Sequence, residues 1–125
     1  MAKGNMDINL DQLKSLTGGD SAFMIEILEL IEKQSPHTLA SMSQSFASQD
    51  YSALGAAAHK YKSSINFLGN PDLIKLMKDI EWEATENEDH VELPALLEEF
   101  ETICTELTER ISLELSELRK SSAEV

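Results

Sequence analysis

Residues 54–69 read Leu54-Gly55-Ala56-Ala57-Ala58-His59-Lys60-Tyr61-Lys62-Ser63-Ser64-Ile65-Asn66-Phe67-Leu68-Gly69. Leu54, Ala58, Tyr61, Ile65 and Leu68 follow one another at steps of four, three, four and three residues. That alternation marks one face of an α-helix, and the face is apolar enough to be buried. His59 stands one residue off this seam, about 100° around the helix from it. It therefore projects from the flank. Gly55 lies one turn before it, Lys62 and Ser63 one turn after, and Asn66 two turns after. Small neighbours leave an imidazole uncovered, and a lysine at the next turn adds positive charge beside it. The pattern suits a histidine that another protein must reach and that must carry an anion. The competing reading of the same residue is an ordinary surface histidine.

The helical period continues on both sides of this stretch, and no segment alternates with the period of a strand. A short first helix is expected over residues 9–16, with Leu10, Leu13 and Leu16 on one side. The run Thr17-Gly18-Gly19-Asp20 breaks it, and Asp20 is placed to cap a second helix. Pro36 falls inside that second helix. The apolar spacing persists across it, so one kinked helix is expected to reach about residue 48. Asp50 caps the helix of His59, which is expected to run over residues 51–68. Gly69-Asn70-Pro71 then ends one helix, caps the next and fills its first position. A fourth helix carries Leu73, Leu76, Met77, Ile80 and Ala84. An acidic loop follows over residues 85–92, and Pro94 opens a last helix with the seam Leu97, Phe100, Cys104, Leu107, Ile111 and Leu118. Four amphipathic helices on short connections predict an all-α fold, an antiparallel up-down four-helix bundle, with the short N-terminal helix packed across one end. The bundle is expected over residues 1–120, with a frayed tail at 121–125.

Composition narrows the function. The chain has 125 residues and suggests a single domain. Its net charge of −13 argues against nucleic acid and anionic membrane as partners. No apolar run is long enough to cross a bilayer. The one cysteine, Cys104, excludes an intramolecular disulfide and fits a reducing compartment, so a cytoplasmic address is expected. The charge is unevenly spread. Residues 51–78 hold Lys60, Lys62, Lys75 and Lys78 against Asp72 alone, a net +3, so the remainder carries −16. A basic stretch in an acidic chain suggests docking to an acidic site on a partner. The other histidines lack the surround of His59. His37 reads as a surface residue, and His90 as part of a solvated acidic loop. Cys104 lies on an apolar seam and reads as core. Trp82 lies off its helix's seam, and reads more readily as a ring over the bundle edge than as an interface anchor.

Over residues 51–81 the sequence resembles the histidine-containing phosphotransfer (HPt) family. The family pattern is a small residue, the histidine, two residues, a lysine, a small residue and a glycine ten positions after the histidine, with a Leu-rich helix next. Here it reads Ala58-His59-Lys60-Tyr61-Lys62-Ser63-Ser64, then Gly69, then Leu73-Ile74-Lys75-Leu76-Met77-Lys78-Asp79-Ile80-Glu81. Ser63 stands where many members have glycine four residues after the histidine. The resemblance implies that His59 is the phospho-acceptor, that Lys62 stabilises the phosphoryl group, and that small Ser63 lets the partner approach; Gly55, Lys60, Asn66 and Gly69 are further candidates for partner binding on the same stretch. It also implies response-regulator receiver domains and a hybrid sensor histidine kinase as partners. The chain would act as a monomeric carrier in a multistep relay, without kinase activity of its own.

The residues suit that chemistry. A neutral imidazole is a good nucleophile near pH 7, because an unperturbed histidine titrates at about 6.5. Phosphoryl transfer is governed mainly by in-line positioning and charge neutralisation. Lys62 offers the second, with no acidic cluster near His59 to hold a metal. No cofactor is expected on this chain, and Mg2+ is expected on the receiver partner. The alternative is a helical docking module that binds receiver domains or other regulators without being phosphorylated.

Overall fold

A computed structural model describes residues 8–123. It contains five α-helices: α1 (Asp11–Thr17), α2 (Ser21–Ala47), α3 (Tyr51–Ile65), α4 (Pro71–Thr85) and α5 (Leu93–Ala123). There is no strand among the described residues. Helices α2 to α5 pack in a ring, each against the next and α5 back against α2, which is an up-down bundle joined by short connections. Helix α1 lies against α2 and the end of the α3 segment. It is tied there by the Asn9 N–H, which donates to the Leu68 carbonyl at 2.8 Å, and by the buried Leu13.

The helix boundaries follow the capping chemistry. The carboxylates of Asp20 and Asp50 accept from the Phe23 and Ala53 N–H groups, and the Asn70 side chain accepts from Leu73 N–H. Helix α2 passes through Pro36 as one element. Two expected boundaries differ. The α-helix of His59 stops at Ile65 and tightens into a 3₁₀ turn, Asn66–Leu68, before Gly69 adopts a left-handed φ of 63°. Helix α5 runs to Ala123, beyond the break expected at residue 120, while residues 1–7 and 124–125 lie outside the described residues.

The seams meet in one core. Leu54, Ala58, Tyr61, Ile65 and Leu68 are all fully buried, as their spacing requires. The Tyr61 ring packs against Phe100 with centroids 5.4 Å apart. Its hydroxyl donates to Ser35 Oγ at 2.6 Å, and Ser35 Oγ donates to the Ile31 carbonyl at 2.7 Å. Both buried hydroxyls are thus satisfied across α2 and α3. Cys104 is buried in the same core, where burial pushes its thiol pKa up.

Candidate functional site

The surface that carries His59 is built by the α3–α4 hairpin. The two helices meet through the tight Gly69-Asn70 link, and the caps at Asp50 and Asn70 fix where each begins. Gly55 lets them approach. A Cβ added there would stand 2.4 Å from Thr85 Cγ2, with Ala84 Cβ at 3.7 Å and the Glu81 carbonyl oxygen at 3.8 Å. Gly55 is buried under α4. This corrects its expected place on a partner-binding surface: its missing side chain makes room for a neighbouring helix. Gly69 differs, because it is exposed, and its backbone also has a packing role. Its left-handed φ and a hypothetical Cβ only 2.8 Å from Asn9 O show that it admits the chain segment before α1.

Close approach of α3 and α4 brings Glu81 to His59. Nδ1 of His59 lies 3.1 Å from Glu81 Oε2, and Lys62 Nζ lies 3.3 Å from Glu81 Oε1. One carboxylate therefore joins both residues. The His59 side chain keeps 64% of its exposure, against 25% for Lys62 and 30% for Glu81, so the imidazole is the reachable member of the three. Lys60, Ser63 and Asn66 are exposed on the same stretch.

The basic character of residues 51–78 is diluted in space. Lys62 is paired with Glu81, and Lys75 with Asp79 at 2.9 Å, both acids lying just beyond the counted stretch. The Asp79 hydrogen bond also raises the Lys75 pKa. Lys60 and Lys78 are exposed and carry no ion pair among the described residues, so the unneutralised positive charge of this stretch lies on them.

Sequence reasoning missed Glu81. The signal was available: Glu81 lies as many residues after Asn70 as His59 lies before it. In an antiparallel hairpin with a tight turn, such positions face each other. His90 also differs from expectation. It is half-buried, its ring stacks on Tyr51 with centroids 3.7 Å apart, and its Nδ1–H donates to the Glu83 carbonyl at 2.7 Å. It is a structural clasp between the α4–α5 connection and the start of α3. His37 is exposed, and Trp82 keeps 54% of its surface in solvent. Among the described residues no group of three or more His, Cys, Asp or Glu is placed to hold a metal ion. No described helix is long and apolar enough to cross a membrane.

A helical bundle with one exposed, carboxylate-tethered histidine on the flank of a hairpin has the form of a helical phosphotransfer domain. The family model for the Hpt domain matches residues 26–120, and the chain belongs to that family. Comparison with curated proteins and with solved structures finds no match. Hpt domains carry phosphoryl groups on histidine in two-component phosphorelays and interact with receiver domains or kinases; they are phosphocarriers rather than enzymes.

Proposed function

We propose that this chain is a phosphoryl carrier that takes a phosphoryl group on His59 from a receiver-domain aspartate and passes it to another. The observation that carries the reading is the meeting of exposed His59 and half-buried Lys62 on one carboxylate. It puts a nucleophile and a cation at one accessible spot of an Hpt bundle. Lys62 contributes charge neutralisation through a charge-assisted contact with the phosphoryl oxygens, exchanging Glu81 for them. Exposed Lys60, Ser63 and Asn66 form the surround that a receiver domain meets. Mg2+ and the acidic pocket that holds it come from the receiver, and no cofactor is assigned to this chain. A hybrid sensor histidine kinase as the source of the phosphoryl group, a monomeric state and a cytoplasmic address belong to the same reading.

The experiment is incubation of the chain with a phosphorylated receiver domain. The expected product is a protein-bound phosphate that is labile in acid and stable in alkali, absent from His59→Gln. Label that persists in His59→Gln would remove His59 from the role. Receiver binding without transfer, indifferent to His59→Gln and weakened by charge reversal at Lys60 or Lys62, would instead establish the docking-module alternative.

A further inference from the structure

We propose that Trp82 is the anchor by which this chain selects its receiver domain, its indole packing on an apolar shelf beside the receiver's acidic pocket. This role rests on the receiver docking of the carrier reading above and names the side chain that chooses among partners. Trp82 stands two residues from each of the buried Ile80 and Ala84, about 200° around α4 from both. It therefore points away from the core, from the crest of the helix. Glu81, one residue back and about 100° round, turns instead towards α3 and meets His59 at 3.1 Å.

The indole is unspent in the fold. It keeps 54% of its surface in solvent, stacks on no other ring, and its N–H has no hydrogen-bond partner among the described residues. Tryptophan offers a large apolar area and one donor that asks for an acceptor, and such side chains dominate the energetics of interfaces. Its helix is firmly placed beneath it. Thr85 Oγ1 donates to the Glu81 carbonyl at 2.8 Å, and α4 is seated against Gly55. The ring is thus presented on a rigid element, so little is lost in ordering it on contact.

Reach and charge identify the occupant. A receiver that exchanges a phosphoryl group with His59 must sit over that histidine. A stable interface covers about 800 Å² on each partner, a patch roughly 16 Å in radius. Trp82 follows in sequence the residue that touches the imidazole, so it falls inside that footprint. Lys78 lies one turn before Trp82 on the same outward ridge, exposed and without an ion pair among the described residues. An apolar ring with a free cation beside it matches an apolar shelf next to an acidic pocket. Every receiver that serves His59 presents the same reactive aspartate and acidic surround, and Lys62 meets only what they share. Discrimination must come from contacts that differ between them, and a ring at the rim of the footprint makes such a contact.

The test is calorimetric titration of the full chain with unphosphorylated receiver domains of its source organism, one at a time and with Mg2+. The wild type should prefer one receiver. Trp82→Ala should weaken that complex roughly tenfold or more, as loss of an aromatic anchor does, and weaken the other complexes less. Trp82→Phe should recover part of the loss. Leu113→Ala removes a side chain that is 61% exposed on α5, the helix that packs against α2 and α4, and should bind as the wild type does. An unchanged affinity in Trp82→Ala overturns the proposal, and so does an equal loss for every receiver. Sedimentation of the chain alone covers the other occupant. A wild-type dimer that Trp82→Ala makes monomeric assigns the ring to a second copy and overturns the proposal as well. The carrier reading is tested apart from this, with phosphoramidate as a small chemical donor. A wild-type chain that takes no phosphate on His59 sinks that reading alone, because the titrations still decide the role of Trp82.

Discussion

His59 and Tyr61 stand two residues apart on α3 and have opposite relations to the fold. The imidazole is largely exposed and off the buried seam, so His59→Ala should change unfolding free energy by no more than about 0.5 kcal/mol in urea titrations. Tyr61 is fully buried, and its hydroxyl ends a hydrogen-bond chain through Ser35 to Ile31. Burial pushes the phenol pKa far up, with the Ser35 hydrogen bond opposing and the Cys104 charge adding a little. The folded state thus holds the protonated form more tightly than the unfolded chain does. That stabilisation is complete below the unfolded value of about 10 and declines as pH rises above it. Urea midpoints should accordingly fall between pH 9 and 11 in the wild type, and fall less in Tyr61→Phe. At pH 7 the variant should cost about 1 kcal/mol, since Ser35 keeps its bond to Ile31 and loses only a donor. The position of each side chain relative to the seam was legible from local spacing. The partner of His59 was not, because Glu81 reaches it only through the register of two helices.

At the scale of elements, Gly55 is the clearest lesson. A small residue beside a reactive histidine suggests access, yet the same smallness here serves the contact of α3 with α4. Spacing along one helix cannot distinguish a space left for a partner from a space filled by a neighbour. The two contributions can be separated by a double-mutant cycle. Gly55→Ala alone gains helix propensity of up to about 1 kcal/mol but drives its methyl into Thr85 Cγ2, so it should destabilise. In a Thr85→Ala background the nearest remaining atoms lie at ordinary contact distance, and Gly55→Ala should stabilise. Equal effects of Gly55→Ala in both backgrounds, measured by thermal unfolding, would contradict the packing assignment. Capping residues were more readable than glycines. Asp20, Asp50 and Asn70 all accept from the N–H three residues ahead, as their positions before each apolar repeat suggested. His90 escaped notice because its partners, Tyr51 and the Glu83 carbonyl, are contributed by different parts of the fold.

For the whole molecule, the order of the helices and their single core could be read from period and punctuation, since each helix has one apolar face and short links. Charge was less readable, because a count along the chain ignores which acids fold back onto which lysines. Asp79 and Glu81 neutralise half of the basic stretch. The overall excess of acid nevertheless survives at −13. Such a chain repels itself when compact, so raising salt from about 10 to 150 mM should increase its melting temperature through screening. A melting temperature that falls over this range, measured by circular dichroism in a chloride buffer, would contradict net self-repulsion.

Trp82 is the chain's sole tryptophan, and it stands exposed one residue from Glu81. The native protein thereby contains its own optical reporter next to the His59 surface. A partner covering that surface would alter the indole's emission or its access to a collisional quencher. Docking could then be timed separately from phosphoryl transfer, with no dye attached to the carrier.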